Sequence, residues 1–197
     1  MITRTPIPLI LFVACVASLL AATSGAPQNA GSPVDAMERK LQYVQQNGAQ
    51  ATPDPKPTEF TEQEVNAYVA SGRVKLPVGV QSVRFEGQPN VIRGIARVDF
   101  DQLKAGRNSS NPLLSVFSGV HDVLVVAQAR GVNHMGYVEV QSVSLDDVEI
   151  PRFVLQVFVQ KYLQPKYPNV GLNSQFALPA KVDTATVGQS KVTITQK

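Results

Sequence analysis

The sequence is poor in the residue types on which most catalytic and metal sites depend. It has one cysteine, Cys15, which lies in an apolar N-terminal run, so the rest of the chain can form no disulfide, thiolate nucleophile or cysteine metal site. The histidines are limited to His121 and His134, and neither has acidic neighbours at metal-ligand spacing. Gly-x-Ser-x-Gly elbows and glycine-rich phosphate loops are also absent. We therefore expect a non-enzymatic protein with no catalytic residue, metal or cofactor.

Charge is also sparse. Only 17% of residues are charged and the formal net charge is +3, which is too weak to indicate a nucleic-acid partner. Lysines and arginines are scattered, and no basic run interleaves with aromatic residues. Nucleic acid is therefore not an expected partner.

The N-terminus has the pattern of a secretory signal peptide. Arg4 provides a short positive region, and the apolar run over 7–22 ends in small residues. This run is short for a transmembrane helix, so we assign residues 1–25 to a cleaved signal peptide and expect export to the periplasm or the extracellular space. Two alternatives are lipid attachment at Cys15, which follows a loose lipobox, and an uncleaved leader that anchors the chain.

The remainder divides into a tether and one domain. Prolines, glycines and small polar residues over 26–58 indicate a tether, which carries a possible helix at 35–46 with apolar positions at Met37, Leu41 and Val44. Residues 59–197 are expected to form a single domain. About 170 residues remain after cleavage, which is enough for one core without disulfides.

One short helix is encoded with both of its ends. Thr61 can cap the helix and Glu64 can reach back to the Thr61 N–H, which forms a capping box. Phe60 and Val65 occupy the two positions of a hydrophobic staple, and Gly72 is a suitable C-terminal stop.

Alternating apolar and polar residues after this helix predict antiparallel strands. The strands at 79–86 and 91–103 form one predicted hairpin, and those at 120–130 and 134–149 form a second. Asn111 and Pro112 indicate the start of a short segment between the hairpins that forms either one or two helical turns or a packed loop. Segments 172–178 and 181–194 supply the last strands, with a turn at 188–190. This order of elements predicts an α+β fold with an antiparallel sheet.

The helix predicted from Pro151 to Gln164 has an unusually broad apolar face. Its polar residues form one stripe, and the remaining side chains cover an arc of roughly 200°. Such a helix is covered on more than one side, either by core packing or by a ligand in an elongated apolar groove. Sequence leaves these two alternatives open. The acidic residues Asp146, Asp147 and Glu149 before the helix favour a solvated strand end over a pair of catalytic carboxylates.

Three segments resemble a known group of proteins. The stretch Phe60-Thr-Glu-Gln-Glu-Val-Asn-Ala-Tyr68, the strand over 136–145 leading into Ile150-Pro151, and the terminal strands after Leu178-Pro179 carry the likeness. They resemble the LmeA-like, YpmS-like and YceB-like exported bacterial lipid-binding domains, which are related to the tubular lipid-binding (TULIP) architecture. The resemblance covers most of 58–196, and its motifs are short and contain no catalytic residue.

This resemblance implies a bent antiparallel sheet wrapped around the long helix, with a phospholipid or another acyl-chain molecule as partner. The residues expected to contact lipid are those on the apolar faces of the two helices: Val65, Tyr68, Val69, Val154, Val157, Phe158 and Tyr162. Asn66 matches the pattern and is interpreted as structural.

A basic strand face provides a second expectation. Arg84, Arg93 and Arg97 could present cations to anionic lipid headgroups at a membrane surface, although an ordinary wet strand face has the same pattern. The alternative function is an envelope interaction or assembly module with a fully packed core and a protein partner that the sequence does not identify.

Overall fold

The computed structural model describes residues 31–104, 112, 115–165 and 167–197. The signal peptide expected over 1–25, the start of the tether and part of the short segment expected after Asn111 lie outside these residues. The described helices are α1 (Pro33–Gly48), α2 (Glu62–Ala70), α3 (Phe100–Lys104) and α4 (Arg152–Phe158), which continues as a π-helical turn over Val159–Leu163.

Nine strands form one antiparallel sheet within the described residues. They are β1 (Thr58–Thr61), β2 (Val80–Gln88), β3 (Val91–Asp99), β4 (Val120–Val132), β5 (Met135–Leu145), β6 (Val148–Glu149), β7 (Asn173–Ala177), β8 (Val182–Gly188) and β9 (Lys191–Gln196). The order is β1-β9-β8-β4-β3-β2, and β5 pairs with β4 on one side and with β6 and β7 on the other. The expected α+β class with an antiparallel sheet is confirmed.

The predicted hairpins are present, and their turns use left-handed backbone conformations. Asn90 (φ 61°) lies in the β2–β3 turn, Asn133 (φ 51°) and His134 (φ 62°) form the β4–β5 turn, and Ser190 (φ 52°) lies in the β8–β9 turn. Asparagine tolerates this region better than most residues, which explains two of these positions.

One face of the central strands carries the core. Buried side chains alternate along β3 and β4, and the same face continues onto β5. A bulge opposite Val126 and Ala127 places one extra residue, Gln141, in β5, so that Val140 and Val143 both face inward. This inner face is therefore continuous along the full length of the strands.

Two helices cover the inner face, one at each end. Helix α4 and its π-helical turn bury Val154, Leu155, Phe158, Val159 and Tyr162 against one end of it. Helix α2 buries Val69 beside Phe85, Ile92 and Ala129 at the other end.

Helix α1 belongs to the folded domain. The helix expected at 35–46 is present and longer, and Met37, Leu41 and Val44 are buried with Phe60 and Ile194. The folded unit therefore includes residues that we had assigned to the tether. Amphipathic spacing at 35–46 indicated the helix, but no local signal in the sequence identified the strands it contacts.

A buried amide pair joins α1 to the last strand. Asn47 donates from Nδ2 to Gln196 Oε1 (2.8 Å) and to the Asp54 carbonyl (2.9 Å), and its Oδ1 accepts from the Asp54 N–H (2.8 Å). Gln196 in turn donates to the Val44 carbonyl (2.7 Å). These bonds satisfy polar groups that would otherwise be buried without partners.

The predicted C-terminal end of the second strand is wrong. We expected strand structure up to Leu103, but β3 ends at Asp99 and a helical turn follows. Asp99 Oδ1 accepts hydrogen bonds from the N–H groups of Asp101 and Gln102, both at 3.0 Å, which caps that turn. Phe100 is buried at its start, so the alternating pattern persisted in the sequence although the backbone had turned.

The buried amide pair leads to a stability prediction. Asn47→Ala leaves Gln196 Oε1 and the Asp54 N–H without a protein partner, so we expect the free energy of unfolding to fall by about 2–4 kcal/mol. Urea denaturation measures the change. Gln45→Ala, an exposed change in the same helix, is the matched control and should shift stability by less than about 0.5 kcal/mol. Equal effects of the two substitutions would contradict the role of the amide pair.

Candidate functional site: an apolar cavity beneath helix α2

Helix α2 has the predicted capping box and C-terminal stop. Thr61 Oγ1 accepts from the Glu64 N–H (3.2 Å), and Glu64 Oε2 accepts from the Thr61 N–H (2.8 Å). The helix ends at Ala70, and Gly72 has a φ of 78°, which a residue with a side chain rarely adopts. The position of the helix is thus determined at both ends by its own sequence.

Side chains of α2 attach the helix to the edge of β2. The Asn66 amide donates to the Phe85 carbonyl and its Oδ1 accepts from the Phe85 N–H, both at 2.8 Å. Glu62 Oε2 accepts from the Gly87 N–H (3.0 Å). These bonds occupy backbone groups that an edge strand otherwise presents to other chains. Asn66 therefore has a structural role, which agrees with our interpretation of its sequence.

Glu64 also connects α2 to α1. Both of its carboxylate oxygens lie 2.7 Å from Lys40 Nζ, and Arg73 forms an ion pair with Glu38 nearby. Burial raises the pKa of Glu64, but the hydrogen bonds from Lys40 and the Thr61 N–H outweigh burial, and the net pKa is lowered. Glu64 is therefore charged at neutral pH, which retains both its cap and its ion pair.

An apolar cavity of about 90 Å³ lies between α2 and the inner face of the sheet. Its walls come from the start of α2, the hairpins β2–β3 and β8–β9, strand β4, and the Leu178-Pro179 segment before β8. The apolar side chains that line it are Phe60, Val65, Phe85, Ile92, Ala129, Leu178, Val182, Ala185, Val187, Val192 and Ile194. Apolar cavities of about 150 Å³ bind benzene, so this one can accept a short apolar group.

The residues expected to contact lipid do not form one site. Val65 lines the cavity, whereas Tyr68 and Val69 are buried where α2 packs on its neighbours. Val154, Phe158 and Tyr162 are buried in the cluster beneath α4, and Val157 lies half-buried beside them. We had centred the groove on the long helix, but the cavity lies beneath the short one.

Aromatic packing explains why the α4 end is filled. The ring of Phe158 lies with its centroid 4.1 Å from that of Phe117, 5.7 Å from that of Phe100 and 5.2 Å from that of Tyr162. Such clusters fill space efficiently and stabilise a core beyond the area they bury. A broad apolar arc on a helix is therefore satisfied here by core packing, one of the two alternatives left open by the sequence.

The three arginines expected to face headgroups lie in ion pairs. Arg84 and Arg93 both contact Glu86, at 3.0 and 3.4 Å, and Arg97 contacts Asp122 at 2.9 Å. Their side chains alternate with the buried residues of β2 and β3, so they lie on the outer face of the sheet. The structure does not place them around the cavity.

The lining residues that sequence reasoning missed come mainly from the last hairpin and the turn before it. Leu178, Val187 and Val192 belong to segments that we predicted as strands without assigning a binding role. Gly87, at the cavity wall, was interpreted only as part of a turn. An available signal was the small size of Ala129 and Ala185 at positions that line the cavity, which leaves unfilled space.

His121 is held between two acceptors. Its Nδ1 lies 2.6 Å from Asp146 Oδ2 and its Nε2 lies 2.7 Å from the Ser118 carbonyl. The hydrogen bond to Asp146 is the largest cause of a raised pKa of His121, and the same contact lowers the pKa of Asp146. His134 contacts the Val182 carbonyl at 3.1 Å and lies in a different turn. The two histidines therefore serve separate turns.

Other site chemistry is not found in the described part of the chain. Across 31–104, 112, 115–165 and 167–197, no group of three or more His, Cys, Asp or Glu residues could hold a metal ion. None of the helices in those ranges is long and apolar enough to cross a membrane. Asp146 and Asp147 form a left-handed turn between β5 and β6, with φ values of 46° and 67°.

Comparisons with known proteins leave the chain unassigned: it matches no family model, no curated protein and no solved structure.

Tyr162 provides a test of core packing. It is 2% exposed, and its hydroxyl has no hydrogen-bond partner among the described residues. An unpaired buried hydroxyl costs about 1–3 kcal/mol, so we expect Tyr162→Phe to leave the free energy of unfolding unchanged or to raise it. Urea denaturation would measure this, with the exposed Tyr43→Phe as control and little change expected there. A loss above about 1 kcal/mol in Tyr162→Phe would show that the hydroxyl is hydrogen-bonded in solution.

The contact between His121 and Asp146 predicts a pH dependence. Because the folded-state pKa of His121 is raised, its contribution to stability is fully present below the unfolded pKa of about 6.5 and is lost as pH rises through the folded value. Asp146→Asn keeps an acceptor for the Asp122 N–H but removes the charge. The stability difference between the original protein and this variant should therefore shrink between about pH 6 and about pH 9. A difference that stays constant over this range would contradict the contact.

Proposed function

We propose that this protein is an exported, non-enzymatic protein that binds a phospholipid or another acyl-chain ligand in the cell envelope. The observation that carries the proposal is the apolar cavity beneath α2, whose lining residues come from helix and sheet and are mostly apolar. Apolar cavities with few polar groups are typical of binding sites for apolar small molecules. The signal-peptide pattern at 1–25 is the reason for proposing export.

Cavity size limits what the closed protein can hold. A volume of about 90 Å³ accommodates a short apolar group or the end of an acyl chain, with the rest of the ligand outside. Accepting more of the chain requires α2 to separate from the edge of β2. The bonds from Asn66 and Glu62 to that edge hold the closed arrangement.

A sheet bent around a long helix is part of the same proposal. Helix α4 and its π-helical turn cover the inner face at the end opposite the cavity. The tubular lipid-binding architecture implied by the resemblance would use this helix as the element around which the sheet bends. In this arrangement α4 is a packed structural element. The ligand occupies the end of the inner face that α2 covers.

The second candidate is an envelope interaction module with a protein partner. One observation favours it: Phe153 and Val148, close in sequence before and within α4, remain 60% and 65% exposed. Large apolar side chains left exposed near one another are common at interfaces between proteins. In that case the cavity is a packing defect without a ligand.

Filling the cavity tests the proposal. Val65→Phe places a ring where the ligand would lie, and we expect it to abolish ligand binding while leaving the fold intact, since the added atoms enter empty space. Native mass spectrometry of protein purified without detergent from an exporting host, before and after incubation with mixed phospholipids, measures bound lipid. The original protein should carry lipid masses that Val65→Phe lacks.

Val157→Phe is the matched control, because it makes the same change at a half-buried position of α4 away from the cavity. It should retain bound lipid. A clean ligand-free mass for the original protein after incubation would contradict lipid binding and favour the interaction module. Lipid retained by Val65→Phe would move the binding site away from the cavity.

A further inference from the structure

We propose that the cavity beneath α2 selects ligands whose apolar chain ends in a primary ammonium group, with Glu62 as the residue that binds the cation. This inference rests on the proposed function, because it names the polar end of the ligand that the cavity accepts. It assigns the polar end of the ligand to a carboxylate at the cavity, whereas the sequence had indicated arginines on a different surface, the outer face of the sheet.

Position is the first argument. Glu62 lines the cavity, and its Oε2 accepts a hydrogen bond from the N–H of Gly87, another lining residue, at 3.0 Å. The carboxylate therefore lies at the cavity wall, between the start of α2 and the β2 edge. One hydrogen bond uses a small part of the acceptor capacity of a carboxylate, which has about four lone-pair sites.

The other charged residues at the cavity are neutralised or point elsewhere. Glu86 pairs with two arginines, and Lys191 lies 2.7 Å from Glu59. Arg130 follows the inward-facing Ala129 in β4, and its guanidinium lies over the ring of Tyr137, 5.4 Å from the centroid. Because successive residues of a strand face opposite sides, the Arg130 side chain is directed away from the side that Ala129 faces.

Glu62 has no cationic side chain within ion-pair distance among the described residues, in contrast to Glu59, Glu64 and Glu86. It also occupies the first turn of α2, at the end of the helix where acidic side chains are commonly found. The wall of an apolar cavity thus carries one negative charge without a counter-ion. A ligand ammonium group would supply that counter-ion in a partly desolvated place, where charge-assisted hydrogen bonds are strong.

Chemical selectivity follows from this arrangement. An alkylammonium ion places part of its chain in the cavity and donates N–H groups to Glu62. A neutral alcohol of the same length gains the apolar contacts alone, and a carboxylate is repelled by Glu62. The expected order of affinity is therefore ammonium, then alcohol, then carboxylate.

Three probes of equal chain length test the order: octylammonium, octanol and octanoate, titrated calorimetrically into the protein purified without detergent from an exporting host. We expect octylammonium to bind at least about tenfold more tightly than octanol, which corresponds to one charge-assisted hydrogen bond. In Glu62→Gln the amide oxygen still accepts from the Gly87 N–H, so the fold should persist. The affinities of the three probes should then agree within about threefold.

Glu149→Gln is the matched control, because it removes the same charge from the exposed strand β6, outside the cavity. It should retain the selectivity of the original protein. If Glu62→Gln fails to fold by circular dichroism, salt provides the second measurement. The preference for octylammonium should fall between about 20 mM and about 500 mM salt, since screening weakens a partly exposed ion pair.

The outcomes separate this inference from the proposed function. Equal binding of all three probes to the original protein, or tightest binding of octanoate, overturns selection by Glu62 and leaves an apolar binding cavity. A preference that survives both Glu62→Gln and high salt also overturns it. Binding of none of the probes counts against the cavity as a ligand site and therefore against both proposals.

Discussion

The structure depends on burial of one continuous sheet face by helices that are each shorter than that face. Strands β3, β4 and β5 present apolar side chains along their whole length, and no described helix covers all of them. Two helices therefore share the burial of this face, with α4 at one end and α2 at the other. Their side chains differ in size, and this difference locates the cavity. Phenylalanines and a tyrosine fill the α4 end, whereas Ala129 and Ala185 leave space beneath α2.

Polar side chains position α2, the helix that borders the cavity. Asn66 and Glu62 occupy backbone groups at the edge of β2, Glu64 joins the start of α2 to Lys40 of α1, and the Asn47–Gln196 pair connects α1 to β9. Each of these contacts satisfies a group that would otherwise be buried or exposed at a sheet edge without a partner.

Electrostatics distinguishes the two faces of the sheet. The outer face carries arginines that form ion pairs with Glu86 and Asp122, while the buried side chains of the inner face are apolar and Glu62 of α2 lies at the wall of the cavity beside that face. An anionic headgroup at the outer arginines would have to compete with their ion pairs to Glu86 and Asp122. A cation at Glu62 meets no such competitor among the described residues. For this reason we propose that the polar end of a ligand binds at the start of α2 and not on the outer strand face.

Local sequence determined much of the architecture by itself. The capping box of α2, its glycine stop, the hairpin turns, the alternating strands and the amphipathic α1 all follow from interactions between residues near one another in the chain. Tertiary structure alone decided what those elements contact. The alternation of apolar and polar residues extended beyond Asp99 because Phe100 is buried in a helical turn as it would be in a strand. The broad apolar arc of α4 is compatible with either a groove or a core, so the sequence could not distinguish them. Membership of α1 in the domain and the cavity beneath α2 depend on pairs far apart in the chain, such as Asn47 with Gln196 and Val65 with Leu178. Unfilled volume is a property of how distant side chains fit together, so no single segment encodes it.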